Sequence, residues 1–173
     1  LVNGDTFGAA VALDAGRLVV GADSDNTGGT NLGAVYLFPD VKSLIGTDVN
    51  DARFGINPSG DSYITPAKIK ELLDVGSAVT LQANNDITVQ SAIEVNADGD
   101  GGDLTLQAGR NITFNADVTT DNGNLTAIAG DSNADQNNRD PGTPILTINN
   151  AILNGGSGTI TLAAVDGNFI NNN

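Results

Sequence analysis

The sequence predicts an all-β protein whose larger part is a solenoid of stacked, parallel coils. The main observation is a repeated phrase: residues 79–95 (VTLQANNDITVQSAIEV) return 25 residues later as residues 104–118 (LTLQAGRNITFNADV). Looser copies begin at Leu125, Leu146 and Ile160. The composition agrees, because 39% hydrophobic residues with only 4% aromatics and 22 Gly suit thin aliphatic layers joined by many turns.

The charge of the chain excludes several classes of partner. Its formal net charge is −14, with seven Lys plus Arg against 21 Asp plus Glu. Nucleic acids and anionic membranes are bound through basic patches, so neither is an expected partner. No apolar run of 18 residues is present, and we expect no membrane insertion. Two explanations of the acidity stay open, a solvated surface and a dedicated site for divalent cations.

The chain contains no Cys, no His and no Met. Without Cys there are no disulfides, thiolate metal sites or Cys nucleophiles. Without His the chain lacks the usual zinc ligand and the usual general base near neutral pH. Because a chain that begins at Leu1 and contains no Met is not a whole translation product, we expect a processed or excised piece.

Residues 1–43 are predicted to form a small antiparallel β unit. Strand patterns at residues 7–13, 17–20 and 34–38 are joined by a tight turn and a long polar loop. The segments FGA (7–9), LVVGA (18–22) and GAVYLF (33–38) resemble one FG-GAP repeat, the blade unit of integrin-like β-propellers. Because one repeat cannot close a propeller, the resemblance implies sister blades upstream or a unit that packs on its neighbour as a cap.

In the FG-GAP family a DxDxDG loop often holds calcium. Here the turn at residues 13–17 (LDAGR) lacks that series of ligands. Asp23, Asp25 and Asn26 in the following loop are an alternative set, and a solvated loop is the other explanation.

A polar connector is predicted over residues 44–63, followed by a capping helix and β repeats over residues 64–173. Thr65 is a natural N-cap, Pro66 suits the first helical position and Gly76 suits the end. The spacing places three apolar side chains on one face of a helix over residues 66–75: Ile69, Leu72 and Leu73. We expect this helix to cover the open end of the solenoid, and a partner-binding helix is the alternative.

The repeats assign side chains to columns, because adjacent coils stack about 4.8 Å apart. Leu81 over Leu106 and Ile87 over Ile112 are expected inside. Two threonine columns are expected outside: Thr80 over Thr105, and Thr88 over Thr113. Asn and Gly are expected at corners, where a left-handed backbone is needed.

The phrase VTLQANNDITV (79–89), preceded by ITP (64–66), Leu72, Leu73 and Gly76, resembles the stalks of filamentous-haemagglutinin-type exoproteins of bacteria and cyanobacteria. The resemblance implies a right-handed parallel β-helix and a structural or adhesive protein, at the cell surface or released. A glycan or a cell-surface receptor is then a candidate partner. Unpaired edges at the ends of the stack predict head-to-tail self-association into a fibre, or continuation into neighbouring repeats.

The best candidate site is the glycine-rich segment 96–103 (NADGDGGD), where Asp98, Asp100 and Asp103 are candidate calcium ligands. Its spacing matches neither an EF-hand nor the GGxGxD repeat, and a solvated turn is the alternative. A polar insertion at residues 131–143 delays the next coil, and insertions of this kind often carry recognition. A tolerated loop without a role is the alternative there.

Catalysis is a further alternative, because polysaccharide-degrading β-helices use clustered acids in a groove. The repeats offer five candidates that form no distinctive motif: Asp86, Glu94, Asp103, Arg110 and Asp117. We therefore predict that the chain is not an enzyme.

Overall fold

The computed structural model describes residues 7–14, 17–22, 34–38, 52–56 and 58–173. The chain divides into two compact units, residues 1–46 and 47–173. Most of the connector predicted over residues 44–63 thus groups with the second unit.

The first unit is the predicted antiparallel sheet. Its strands lie in the order β1-β2-β3, with bounds Phe7–Asp14, Arg17–Ala22 and Ala34–Phe38. The central strand β2 buries Val20 and Ala22, whereas Val11 and Val35 on its neighbours are exposed. Among the side chains described in this sheet, the buried ones therefore lie on its central strand.

The second unit is built from parallel sheets in which neighbouring strands come from successive coils. Three such sheets occur in its described part. The first contains β4 (Val79–Ala83), β7 (Leu104–Ala108), β10 (Leu125–Ala129) and β13 (Ile160–Ala164). The second contains β5 (Ile87–Val89), β8 (Ile112–Phe114), β11 (Ile145–Ile148) and β14 (Asn168–Asn171). The third contains β6 (Ile93–Glu94), β9 (Val118–Thr119) and β12 (Leu153–Asn154).

The register confirms the predicted columns. Leu81 pairs with Leu106, and Ile87 pairs with Ile112. Thr80 pairs with Thr105, and Thr88 with Thr113, on the outward side of the same strands. The inward residues form one continuous apolar core, in which Leu104, Leu106, Ile112, Phe114, Val118 and Leu125 are at most 1% exposed.

One copy of the repeat was wrongly assigned from the sequence. Leu146 pairs with Ile112 and therefore lies on the second sheet, not at the start of a coil. Leu125, which pairs with Leu104, begins that same coil on the first sheet. The insertion 131–143 falls between these two strands, so it lengthens one coil at a corner and does not separate two coils.

The predicted helix is present as α1, Pro66–Leu73. Thr65 caps it by accepting a hydrogen bond from the Lys68 amide, 3.2 Å away. Ile69 and Leu73 are buried in the core, and the helix packs against β4 and β6 of the first coil. The helix therefore covers one end of the apolar core.

Glycines at one corner are required by the closeness of the coils. Gly102, Gly123 and Gly158 each lie two residues before a strand of the first sheet, and they lie above one another. A Cβ on Gly123 would lie 2.1 Å from the carbonyl oxygen of Gly102, and a Cβ on Gly158 would lie 2.3 Å from that of Gly123. None of the three has a positive φ, so the reason expected from the sequence is wrong here. Space, not handedness, selects glycine.

Left-handed backbone is found elsewhere, as predicted, at Asn and also at Asp. Among the described residues that are not glycine, positive φ occurs at Asp98, Asp121, Asn122, Asn150 and Asp166.

We expect Gly123→Ala to lower the free energy of unfolding by about 3 kcal/mol, because the added methyl meets fixed backbone atoms of the coil before it. Urea denaturation followed by circular dichroism measures the change. Gly55→Ala is the matched control, since a Cβ there meets no atom within 4 Å and should change stability by less than about 0.5 kcal/mol. Equal losses in the two variants would contradict the steric explanation.

Candidate functional site

Three of the acidic residues suggested by the sequence as site candidates bond to the neighbouring coil. Each lies immediately before a strand, and its carboxylate accepts the backbone N–H of the same column one coil further on. Asp86 accepts from Asn111 at 3.0 Å, and Asp103 from Asn124 at 2.8 Å. Asp117 accepts from Ile152 at 2.8 Å. We call these contacts Asx rungs.

In two of these columns the next coil carries asparagine, whose side-chain oxygen forms the following Asx rung. Asn111 accepts from the Ile145 amide at 2.9 Å, and Asn124 from the Thr159 amide at 2.8 Å. The sequence signal for these contacts is a triplet of Asp or Asn, an aliphatic residue and Thr. It begins at Asp86, Asp103, Asn111, Asp117 and Asn124.

A second polar column joins side chain to side chain at the corner that follows the second sheet. Asn115 donates to Gln90 at 3.4 Å, Asn149 to Asn115 at 2.9 Å, and Asn172 to Asn149 at 2.6 Å. The amide group suits this column because it both donates and accepts, so each member satisfies the next. The column links all four coils.

The acidic turn 96–103 is also attached to the next coil. Asp98 and Gly99 have positive φ, which makes the turn tight. Asp121, which the sequence did not single out, accepts hydrogen bonds from the Ala97 amide at 2.6 Å and the Gly99 amide at 3.0 Å. Its side chain therefore holds the turn from below.

The three predicted calcium ligands share this turn but are not gathered into a ligand set. Asp98, Asp100 and Asp103 are exposed, and Asp103 forms an Asx rung. Across the described ranges, no group of three or more acidic side chains could hold a metal ion. Calcium at this turn stays a prediction. The alternative ligands Asp23, Asp25 and Asn26 lie outside the described residues.

The insertion 131–143, here called the corner strap, folds back over earlier coils. Its Asp135 amide donates to the Oδ1 atom of Asn84 at 2.9 Å, and the Asn138 carbonyl accepts from Asn85 at 3.1 Å. Arg139 donates to a main-chain carbonyl of the coil between them. The strap is therefore attached to residues of the first and second coils.

Asn84 connects the corner strap to the segment that precedes the helix. Asn84 is buried, with 5% of the residue exposed. Its side-chain Nδ2 donates to the carbonyl oxygens of Phe54 at 3.0 Å and Pro58 at 2.9 Å. Because Asn84 Oδ1 also accepts the Asp135 amide, both the oxygen and the nitrogen of its side chain are hydrogen-bonded. A buried polar group with these partners fixes two surface segments at once.

Arg110 anchors the corner strap through charge. Its guanidinium donates to Asp86 through Nε at 2.9 Å and Nη2 at 2.6 Å, and Nη1 lies 3.4 Å from the carboxylate of Asp140 in the strap. The hydrogen bonds from Arg110 lower the pKa of Asp86. Partial burial opposes them, and the Asn111 amide assists them.

We expect Asp86→Asn to make stability less dependent on pH in acid. Because the pKa of Asp86 is lower in the folded chain, its contribution is present above the ordinary carboxyl pKa of about 4 and is lost as pH falls through the folded value. The variant should lose about 1 kcal/mol at pH 7, a modest value because the pair is partly solvated. Urea denaturation at pH 7 and pH 3 measures both effects. Asp61→Asn, at an exposed position, is the control, and a wild-type pH profile in Asp86→Asn would contradict this role.

An open groove of about 580 Å³ lies over the outer face of the third sheet. Glu94, Thr119 and Asn154 occupy the same register position on β6, β9 and β12. Asp117 and Ile152 line the groove beside them. Of the five residues considered for catalysis, the structure brings Glu94 and Asp117 to this groove and places Asp86, Asp103 and Arg110 elsewhere.

Comparison with known proteins finds one family. Residues 2–38 match the FG-GAP repeat, so the resemblance predicted for the first unit is confirmed, and such repeats are typical of extracellular or surface proteins. No curated protein and no solved structure matches the chain, and nothing shows a filamentous-haemagglutinin-like protein. In the part of the chain that the structure describes, no helix has the length and apolarity to cross a membrane.

Proposed function

We propose that the second unit is a right-handed parallel β-helix and that the chain is a structural or adhesive segment of a large extracellular bacterial surface protein, of the filamentous-haemagglutinin-like kind. The observation that carries the proposal is the coil-on-coil register kept on all three sheets. The FG-GAP match of the first unit suggests a surface or adhesion-type module and agrees with it.

The proposed role is mechanical. Bonds between neighbouring coils resist bending because backbone ladders, Asx rungs and the amide column all act along the same direction. The acids Asp86, Asp103 and Asp117 serve as rungs, which supports a scaffold and argues against a catalytic role. Such a rod would hold loops such as the corner strap in fixed positions for contact.

The two ends of the stack differ in how they can associate. The edge of β4 is covered, since the Gln82 amide donates to the Ala52 carbonyl at 2.9 Å and α1 lies beside it. At the other end, β13 and β14 each pair on one side among the described strands. Four apolar side chains are exposed there: Ile160 (38%), Val165 (42%), Phe169 (51%) and Ile170 (40%).

An open strand edge with apolar side chains favours pairing with another strand edge. We propose that this edge binds either further repeats or the same edge of a second copy. Head-to-tail stacking on β4 would have to displace the segment around Ala52, so contact between two β13–β14 edges is favoured.

We expect the purified chain to associate with increasing concentration, and Phe169→Glu to abolish this, because two carboxylates would meet at the shared edge. Analytical ultracentrifugation measures the mass, and negative-stain microscopy distinguishes dimers from filaments. Val75→Glu, at another exposed apolar position (74%), is the matched control and should associate normally. A wild-type chain that stays monomeric at high concentration would rule out self-association.

A calcium-dependent adhesin is the alternative, and the observation in its favour is the exposure of Asp98 and Asp100 on one tight turn. The scaffold proposal expects thermal unfolding to be unchanged by calcium or EDTA. The adhesin alternative expects calcium to raise the midpoint, EDTA to reverse the shift, and Asp100→Ala to remove it, because a carboxylate ligand would be lost. Asp61→Ala is the control. A calcium shift that is lost in Asp100→Ala but kept in Asp61→Ala would favour the alternative.

A further inference from the structure

The groove on the third sheet differs from the Asx rungs because part of its polar lining has no hydrogen-bond partner within the described ranges. Glu94 is exposed, and no hydrogen bond or ion pair to it is found among residues 58–173. Thr119, one coil further on, is likewise without a side-chain partner in that range. The carboxylates of Asp86 and Asp103 are engaged in Asx rungs, whereas the Glu94 and Thr119 side chains remain available to a ligand.

The charge of the groove restricts the ligand. Lys70 is the cation in the lining, and its ammonium is taken by the carboxylate of Asp74, at 2.5 and 2.8 Å. Glu94 and Asp117 are then uncompensated, and they would repel uronate, sialate and phosphate groups. A neutral ligand that donates hydrogen bonds to carboxylates fits this surface, because such charge-assisted bonds are strong.

The geometry of the groove favours a glycan over a peptide. An extended peptide would bind through an unpaired strand edge, whereas here β6, β9 and β12 pair side by side and present a face of side chains. Successive coils repeat polar groups about 4.8 Å apart, close to the length of one sugar in an extended chain. Glu94, Thr119 and Asn154 would therefore meet hydroxyl groups of consecutive sugars, with Ile152, 66% exposed, as an apolar contact.

We propose that this groove binds a linear neutral glycan lying along the direction of stacking. The inference rests on the proposed adhesive function and assigns it a ligand class and a position. Glu94 accepts from a sugar diol, the free oxygen of Asp117 accepts from its neighbour, and Thr119 and Asn154 bind the following sugars. The groove binds the chain without cleaving it.

The test is isothermal titration calorimetry of the full chain with cellohexaose, xylohexaose and chitohexaose, and with hexagalacturonate as the anionic probe. At least one neutral probe is expected to bind, and the anionic probe is expected not to bind. Glu94→Gln should weaken binding about tenfold, because a charge-assisted hydrogen bond becomes a neutral one. Glu71→Gln is the matched control, since Glu71 lies on α1 outside the groove and pairs with Lys68.

Three results would overturn the proposal: no heat with any neutral probe at millimolar concentration, preference for hexagalacturonate, or equal affinity in Glu94→Gln. Thermal unfolding of each variant checks that the fold is kept. Repeating the titration with the Phe169→Glu variant separates this proposal from self-association. Glycan binding by a monomeric chain would support the groove proposal independently of self-association. Self-association without glycan binding would leave the scaffold proposal intact and exclude the glycan.

Discussion

The structure depends on one constraint, that each coil repeats the register of the coil before it on three parallel sheets at once. In the parallel backbone ladder, Leu81 pairs with Leu106, and Leu106 pairs with Ala127. Residues in a column therefore share one environment, either inside the core or facing solvent. Aliphatic columns, threonine columns and the glycine corner are consequences of this repeated geometry.

The same constraint decides what acidic residues do in this chain. A carboxylate placed before a strand meets the backbone N–H of the next coil, so Asp86, Asp103 and Asp117 are structural acceptors. Sites for ligands arise where the pattern leaves polar groups without such a partner. Glu94 lies within a strand and faces outward, and for that reason its carboxylate is free to act on something outside the chain.

Much of the fold could be predicted from the sequence, because positions that stack in a column carry the same type of residue in successive repeats. Leu81 over Leu106 and the helix at Thr65 followed local rules of pattern and capping. The position of Leu146 could not be predicted in this way. The polar insertion changes the spacing between strands, and the dipeptide Leu-Thr occurs on both the first and the second sheet. The contacts of Asn84 depend on segments far apart in the chain, and no local pattern reports them. The groove is likewise a product of three coils together.

The corner strap shows where such a chain can change during evolution. Thirteen residues are inserted between β10 and β11. Thr147 nevertheless pairs with Thr113, just as Thr113 pairs with Thr88 of the coil before it. At the glycine corner even one methyl group has no room. New sequence can therefore be acquired at the first kind of corner and not at the second, which makes residues 131–143 the natural position for diversification, and for grafting a foreign peptide onto this scaffold.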